Sequence, residues 1–378
     1  MDSTRKFNYE SIKEIAILFL KLGTISFGGP AAHIALMEKE VVRKREWMTH
    51  EHFLDLMGAT NLIPGPNSTQ MAIYCGYHRA GRIGLFLAGF CFILPAFIIT
   101  LLFALLYKQY GNLSIAEPFF YGIKPAMIAI ILDAAFKLGK KALKNLQLGL
   151  IGIAVVIGAL LGISSILLLL LAGMIAITWF AGIEKTMKSF FPIILLQAPT
   201  IASSYSTAKL FWVFLKIGSL LFGGGYVLFA YLDGELVQKL HWLTRSQLID
   251  SVAVGQFTPG PVLSSATFIG YQIDGITGAF VSTIGIFLPS FVLILLLSPL
   301  LPKLRKSKIT SSFLDGVNIA AVGLILAVTI QMGHDTLLDW KTSTIALLSF
   351  ALIYFVKNIN AIWIVAGAAG LGYLFKFI

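Results

Sequence analysis

The chain has 378 residues, of which 57% are hydrophobic and only 12% are charged, and its formal net charge is +11. Soluble globular proteins carry about a quarter charged residues, so this composition excludes a soluble enzyme, a disordered chain and a small disulfide-stapled domain. Apolar runs of about 20 residues recur along the chain, which predicts a polytopic protein of the lipid bilayer. The positive charges lie in short clusters between these runs, as in membrane loops, so we expect no nucleic-acid partner.

An internal repeat organises the whole sequence. Residues 21–30 align with residues 216–225, and at the same offset Trp47 meets Trp242 and Asp55 meets Asp250. After the loss of one residue, the alignment continues through Gly76 and Gly270. This register predicts a first repeat over residues 1–182, a linker over residues 183–207 and a second repeat over residues 208–378.

Each repeat contains six apolar segments. Those of the first repeat span residues 12–36, 58–76, 83–107, 118–136, 146–162 and 165–182, and those of the second span residues 209–231, 252–270, 277–301, 312–330, 341–356 and 361–377. The second segment of each repeat is interrupted by Pro-Gly-Pro, at residues 64–66 and 259–261, which we call the proline turns. Proline removes a backbone donor and glycine weakens a helix, so we expect a broken or re-entrant helix at each turn.

Loop charges indicate how the repeats are oriented. The loop at 137–144 contains four lysines and the loop at 108–117 only Lys108, whereas in the second repeat the cluster is at residues 303–308. By the positive-inside rule, equivalent loops then lie on opposite faces of the membrane. The predicted fold is an all-α polytopic membrane protein with two inverted-topology repeats, each of about five crossings plus one Pro-Gly-Pro-broken or re-entrant helix.

Inverted repeats with paired broken helices are typical of secondary transporters that bind substrate near the midplane. A second interruption in each repeat, at residues 28–30 and 223–225, is called here the glycine break. Uncapped N–H groups after each proline turn would form an anion site without a basic side chain, and nearby hydroxyls would add neutral donors. The predicted substrate-binding residues of the breaks and turns are Gly28, Gly29, Pro30, Gly65, Pro66, Asn67, Ser68, Thr69, Gly223, Gly224, Gly225, Gly260, Pro261, Ser264 and Ser265. The alternative is that these glycines only allow close helix packing.

Two lysines complete the predicted anion site. Lys21 and Lys216 are equivalent and lie inside the first apolar segment of each repeat. An ionisable residue inside the membrane is a functional candidate, so both are predicted to supply charge to the anion. The alternative is that each lysine extends to the lipid headgroups.

Four carboxylates are predicted as proton-coupling candidates: Glu38 and Glu40 with their counterparts Asp233 and Glu235. A carboxylate beside a membrane cavity carries a proton if desolvation raises its pKa. The alternative is that they form ion pairs in solvated loops. Cys75 and Cys91 fit no metal-ligand spacing, and neither a cofactor nor a metal is expected.

The combination of residues 27–30 with His33, Trp47 and the proline turn, repeated in the second half, resembles the chromate ion transporter family in its two-domain form. The resemblance covers nearly the whole chain. It implies an inner-membrane protein that exports chromate, is driven by the proton or membrane-potential gradient and confers chromate resistance. The second repeat has Gly225 in place of Pro30 and lacks a His33 equivalent, which predicts unequal contributions from the two halves.

Two other functions remain open on the sequence. A transporter of sulfate or another small anion would share the same fold and site, because backbone amides discriminate poorly between tetrahedral dianions. A membrane-embedded enzyme would need clustered catalytic residues, and the sequence has no such cluster. A homodimer remains open beside a monomer.

Overall fold

A computed structural model describes residues 9–27, 29–111, 117–181, 206–222, 225–297, 307–356 and 359–375. These residues form helices and turns without any strand, as the all-α prediction requires. Four of the helices are long and apolar enough to cross a membrane, spanning Asn67–Tyr110, Glu117–Ala142, Val262–Leu297 and Lys308–Thr336. The protein is therefore an all-α, multi-pass membrane protein.

The first repeat contains seven described helices and one π-helical turn. They are α1 (Tyr9–Ile25), α2 (Gly29–Glu38), the π-helical turn (Lys39–Lys44), α3 (His50–Thr60), α4 (Asn67–Tyr110), α5 (Glu117–Ala142), α6 (Leu146–Leu160) and α7 (Ser165–Ala181). Two starts follow from capping side chains: Thr49 accepts a hydrogen bond from the His52 N–H and Asn145 accepts one from the Leu148 N–H.

The second repeat follows the same order. It contains α8 (Thr207–Leu220), α9 (Val227–Leu232), a π-helical turn (Asp233–Lys239), α10 (Arg245–Phe257), a 3-10 turn (Val262–Ser264), α11 (Ser265–Leu297), α12 (Lys308–Thr336), α13 (Trp340–Phe355) and α14 (Ala361–Phe375). Thr244 and Gln247 form a reciprocal capping box at the start of α10.

Each proline turn is the tip of a re-entrant hairpin. The ring of His52 at the start of α3 lies 5.0 Å from the ring of His78 in α4, so the two arms enter and leave at the same end. The predicted re-entrant helix is confirmed, but its entering arm begins at residue 50, within the stretch predicted as a loop. The capping by Thr49 explains this earlier start.

The chain reverses sharply inside α4 and α11. Ala80 and Gly81 leave helical dihedrals, as do the equivalent Asp274 and Gly275. A Cβ on Gly76 would lie 2.2 Å from the carbonyl oxygen of Gly84, whereas eight residues of straight helix span about 12 Å. The re-entrant arm therefore packs directly against the long arm that follows it.

The first apolar segment is also divided. Predicted as one segment over residues 12–36, it forms two helices, because α1 ends at Ile25 and α2 begins at Gly29. The indole N–H of Trp47 donates to Glu14 over 3.2 Å, so the chain after α2 returns beside the start of α1. The glycine break is the physical cause, because it interrupts the helix between its two arms.

The long arms of α4 and α11 cross in antiparallel orientation. Ring centroids of Phe86 and Phe291 are 5.8 Å apart, and those of Phe97 and Phe280 are 4.7 Å apart. Phe86 is equivalent to Phe280 and Phe97 to Phe291, so a pseudo-two-fold rotation exchanges the two contacts. An axis that relates antiparallel spanning helices lies in the membrane plane, which gives the repeats inverted topology.

The last two helices of each repeat pack against the other repeat. Helices α6 and α7 pack on α12, while α13 and α14 pack on α5. A Cβ on Gly173 would lie 2.4 Å from the Phe313 ring, and a Cβ on Gly122 would lie 2.0 Å from the carbonyl oxygen of Ala368. These close approaches interlock the two repeats.

Helices α5 and α12 also run antiparallel. Lys144 Nζ lies 2.6 Å from Asp315 Oδ1, which brings the end of α5 beside the start of α12. The lysine-rich loop at 137–144 and the start of α12 therefore share one face, as the loop charges predicted. Most of the cluster at 303–308 lies outside the described residues.

Thiol labelling tests this topology. Single cysteines at Lys141, Ser311 and Asp335, in a background lacking Cys75 and Cys91, are expected to react with an impermeant reagent from opposite sides. Lys141→Cys and Ser311→Cys should label from the cytoplasm, and Asp335→Cys only from the other face. Labelling of all three positions from one side would contradict inverted repeats.

Candidate anion site at the crossing of the breaks

Reciprocal hydrogen bonds join the proline turn of each repeat to the chain just before the glycine break of the other. The Gly65 N–H donates to the Leu221 carbonyl over 2.7 Å, and the Gly260 N–H donates to the Ser26 carbonyl over 2.8 Å. Both pairs consist of equivalent residues, so the pseudo-two-fold axis passes between them. We call the place where the two turns meet these two segments the crossing.

Glycine is required at both proline turns, because the backbone there has a positive φ and because neighbouring atoms leave little room for a side chain. Gly65 has a φ of 129° and Gly260 a φ of 88°, in the region that favours glycine. A Cβ on Gly65 would lie 2.5 Å from Ser290 Oγ, and one on Gly260 would lie 3.1 Å from the Gly23 carbonyl oxygen. Any side chain at these positions would occupy the space in which the repeats approach each other.

Helix α4 begins directly after the first proline turn. Pro66 is its N-cap and provides no capping side chain. The N–H groups of Asn67, Ser68 and Thr69 therefore form the uncapped first turn of the re-entrant arm of α4. This end carries partial positive charge toward the crossing.

The second turn differs from the first. Val262, Leu263 and Ser264 form a 3-10 turn, and α11 begins only at Ser265. The Ser264 N–H donates to the Pro261 carbonyl over 2.9 Å, so it is already hydrogen-bonded and the expectation that it points into the break is wrong. The two repeats therefore differ in backbone conformation directly after their proline turns.

Several buried polar atoms near the crossing have no hydrogen-bond partner among the described residues. They are Ser26 Oγ, Thr69 Oγ1, Gln70 Oε1, Ser264 Oγ and Ser290 Oγ. Buried polar groups are normally paired, so a group of unpaired atoms around one crossing is unusual. The serine and threonine hydroxyls can each donate a hydrogen bond to an anion.

The remaining predicted residues of the breaks differ in their surroundings. Ser265 Oγ donates to the Val262 carbonyl over 2.9 Å, so its hydroxyl already has a partner. Gly29 has a φ of 81° and begins α2 with Pro30, and Gly225 precedes α9. Gly28, Gly223 and Gly224 lie outside the described residues.

Sequence reasoning missed two polar residues at the crossing. Gln70 Nε2 donates to the Pro64 carbonyl over 2.7 Å and braces the first proline turn. Ser290 faces Gly65 from the other repeat, and its first-repeat counterpart is Ala96. Gln70 was detectable as an amide side chain in an apolar segment, whereas the position of Ser290 depends on the packing between repeats.

The predicted lysines and carboxylates form equivalent ion pairs. Lys21 Nζ lies 3.5 Å from Glu40 Oε1, and Lys216 Nζ lies 2.6 Å from Glu235 Oε1. Both lysine side chains are more than a third exposed. Each lysine therefore joins the first helix of its repeat to the π-helical turn. The two ion pairs are equivalent in the alignment of the two halves.

The other predicted carboxylates are paired as well. Glu38 bonds Arg43 over 3.0 Å, and the fully buried Asp233 bonds Arg245 over 2.9 Å. Hydrogen bonds from Lys44 and Arg45 lower the pKa of Glu40 to about 2, and the hydrogen bond from Arg43 lowers the pKa of Glu38. Glu38 and Glu40 thus stay ionised near neutral pH, which argues against a proton-carrying role for them.

No group of three or more histidine, cysteine, aspartate or glutamate side chains that could hold a metal occurs among the described residues. The crossing offers amide and hydroxyl donors instead of metal ligands. Such donors suit an oxyanion.

Comparisons with known proteins show which proteins the chain is similar to. The sequence profile of the family described as "Chromate transporter" matches residues 13–177 and 208–373. A chromate transport protein of Cupriavidus metallidurans is 33% identical over 371 residues, which cover 96% of this chain and 92% of that protein. A chromate transport protein of Pseudomonas aeruginosa is 30% identical over 96% of this chain and 91% of that one. A probable chromate transport protein of Synechococcus elongatus is 31% identical over 90% and 89% of the two chains. No solved structure matches the chain.

Proposed function

The chain belongs to the chromate transporter family, and we propose that it is a secondary active transporter that exports chromate across the bacterial inner membrane. Transport is coupled to the proton or membrane-potential gradient and confers resistance to chromate. The relatives named as chromate transport proteins align along nearly their whole length, which supports the substrate class. No enzymatic step enters this function.

The observation that carries the proposal is the crossing of breaks and turns. Its reciprocal hydrogen bonds surround unpaired buried hydroxyls and the uncapped start of α4. A tetrahedral dianion has oxygen acceptors on all sides and so suits several donors that converge from both repeats. Because the donors come from both inverted repeats, rocking of one repeat against the other would expose the anion to each face in turn.

Sulfate is the second candidate substrate. The donors at the crossing are neutral amides and hydroxyls, which recognise tetrahedral oxygens whatever the central atom. The predicted lysines likewise supply charge without selectivity. We therefore expect sulfate to compete with chromate.

The function is tested by uptake of radiolabelled chromate into everted membrane vesicles. An exporter accumulates chromate in such vesicles when respiration is active, and a protonophore with valinomycin should abolish the accumulation. Vesicles that lack the protein provide the control, and excess sulfate measures competition. Chromate uptake equal to the control under every gradient would refute chromate export, and uptake of sulfate alone would favour the second candidate.

A further inference from the structure

A second polar site lies away from the crossing, in a cavity of about 650 Å³. The cavity lies where α4 and α12 end and α5 begins, and α10 forms one wall. The end of α5 that meets the start of α12, at Lys144 and Asp315, is at the opposite face of the bundle. Since the lysine-rich loop after α5 is predicted to be cytoplasmic, this cavity opens toward the outer face.

The cavity is acidic. Four carboxylates line it against two lysines: Glu117, Asp250, Asp335, Asp339, Lys108 and Lys124. A lining with excess negative charge repels a dianion and raises the local concentration of cations. The cavity therefore suits the coupling cation and not the transported anion.

Asp250 is the buried member of this group, with only 3% of its surface exposed. Its Oδ2 accepts a hydrogen bond from the Tyr107 hydroxyl over 2.8 Å, whereas its Oδ1 accepts none. The nearest cation is Lys124, whose Nζ lies 3.7 Å from Oδ1 and donates to Ser246 Oγ over 2.6 Å. One carboxylate oxygen is thus buried at the cavity wall without a hydrogen-bond donor.

The other acidic groups around the cavity have different surroundings. Asp335 is bound by Arg245 over 2.6 Å, and Asp339 caps α13 and accepts from Tyr121. The titratable and charged groups that line the cavity with Asp250 come from α4, α5, the end of α12 and the N-cap of α13; they are Tyr107, Lys108, Glu117, Tyr121, Lys124, Asp335 and Asp339. Among the aspartates of this set, only Asp250 is buried and has a side-chain oxygen that accepts no hydrogen bond.

Burial is the largest influence on the ionisation of Asp250. Helix α10 is outside the four long apolar helices, and desolvation raises the pKa of Asp250 although Lys124 and Tyr107 lower it. This upward shift in pKa is opposite to the shifts of Glu38 and Glu40, whose pKa values are lowered by their hydrogen-bond partners. A raised pKa brings protonation closer to neutral pH, as a proton carrier requires.

A chain of contacts connects Asp250 to the crossing. Thr258 follows α10 and precedes the second proline turn, and its hydroxyl accepts a hydrogen bond from the Thr100 hydroxyl over 3.3 Å. Tyr107 lies seven residues after Thr100 on α4, about two helical turns away. Helices α4 and α10 are therefore joined at both ends of this stretch, by Tyr107 with Asp250 and by Thr100 with Thr258.

The symmetry-related position around Asp55 does not reproduce this arrangement. Asp55, the counterpart of Asp250, is exposed, and the second-repeat counterpart of Lys124 is Asn318. The burial of this aspartate is thus specific to the second repeat.

We propose that Asp250 is the proton-binding residue of the transporter, loaded from the outer face through the acidic cavity. This inference rests on the proposed transport function. A proton from water in the cavity binds Oδ1 and converts the carboxylate to a carboxylic acid. Lys124 then loses its counter-charge, and the changed contacts reach the proline turn through α4 and α10.

The test uses the full-length protein reconstituted in liposomes with a trapped pH dye and the membrane potential clamped at zero. Two reactions are compared, namely chromate–chromate exchange at equal pH and net chromate uptake driven by a pH gradient. Asp250→Asn is expected to keep at least half of the wild-type exchange and to lose at least tenfold in pH-driven uptake and in chromate-dependent proton flux. Asp55→Asn, the exposed counterpart, is the matched control and should keep both reactions.

The results separate this inference from the proposed function. Absence of chromate exchange in the wild type would overturn both. Undiminished pH-driven uptake in Asp250→Asn would overturn the inference alone. Loss of exchange as well as uptake in both Asp250→Asn and Asp250→Glu would also overturn it, because Asp250 would then serve folding or anion binding.

Tyr107→Phe provides a second test, in which the pH dependence of uptake is measured. A purely structural role of Asp250 would not change this pH dependence. The Tyr107 hydroxyl donates to the ionised carboxylate, so its removal destabilises the charged form and raises the pKa of Asp250. The midpoint of the pH profile of proton-driven uptake should move upward by roughly one pH unit. A midpoint that stays in place or moves downward would contradict proton binding at Asp250.

Discussion

Replacing Gly65 or Gly260 by valine is expected to abolish chromate transport while protein remains in the membrane. Both glycines have positive φ, so any side chain adds a backbone strain of about 1–3 kcal/mol. A Cβ on Gly65 also enters the space of Ser290 Oγ, and a Cβ on Gly260 approaches Ala96 and the Gly23 carbonyl. The hydrogen bonds from the turns to the opposite breaks would lengthen, and the donors at the crossing would no longer converge. Chromate flux per molecule in everted vesicles is the measurement.

The controls separate loss of the site from loss of stability. Gly81 and Gly275 also have positive φ, at 60° and 56°, but a Cβ on either would meet nothing within 4 Å. Gly81→Val and Gly275→Val should therefore lower the amount of folded protein by a similar backbone strain while each remaining molecule transports normally. If Gly65→Val and Gly260→Val reach the membrane and transport as these controls do, the proline turns are packing devices.

The breaks could be predicted from sequence because glycine and proline act on the local backbone. A proline removes a donor wherever it lies, so the interruption at the proline turns did not depend on the rest of the fold. Repetition of the motif made the two halves comparable, and loop charge gave their relative orientation. The reversal at Ala80 and Gly81 was less visible, since a single glycine between apolar segments is compatible with an ordinary loop.

The partners of the breaks could not be predicted from the sequence. Gly65 bonds Leu221, which is more than 150 residues away, and no local pattern encodes which carbonyl a turn amide will meet. The burial of Asp250 and the exposure of Asp55 were equally hidden, because both occupy the same motif position. Whether a carboxylate is solvated depends on the helices that cover it, and here Tyr107 of α4 and Lys124 of α5 lie against Asp250, whereas Asp55 is exposed.

Opposite effects are expected when the two members of the Lys216–Glu235 pair are neutralised. If the Lys216 ammonium attracts the anion, Glu235 competes for it at 2.6 Å. Lys216→Gln should then raise the half-saturation for chromate roughly ten- to a hundredfold, since a contact with a charged group contributes about 1.5–3 kcal/mol. Glu235→Gln should lower the half-saturation, because the ammonium is released from its partner. Chromate–chromate exchange at fixed pH is the assay, so that proton coupling does not enter.

A purely structural ion pair gives a different result. Either neutralisation would remove the same interaction, which is worth about 0–1 kcal/mol for a lysine that is more than a third exposed, and the half-saturation would not change. Lys216→Arg, which keeps the charge, should retain most of the affinity if charge is what the anion requires. The equivalent test at Lys21 is harder to interpret, because Glu40 also binds Lys44 and Arg45. Neutralising Glu40 would therefore release three cations at once. Unchanged half-saturation in both Lys216→Gln and Glu235→Gln would remove the lysine from the site and leave the amides and hydroxyls at the crossing as the ligands of the dianion.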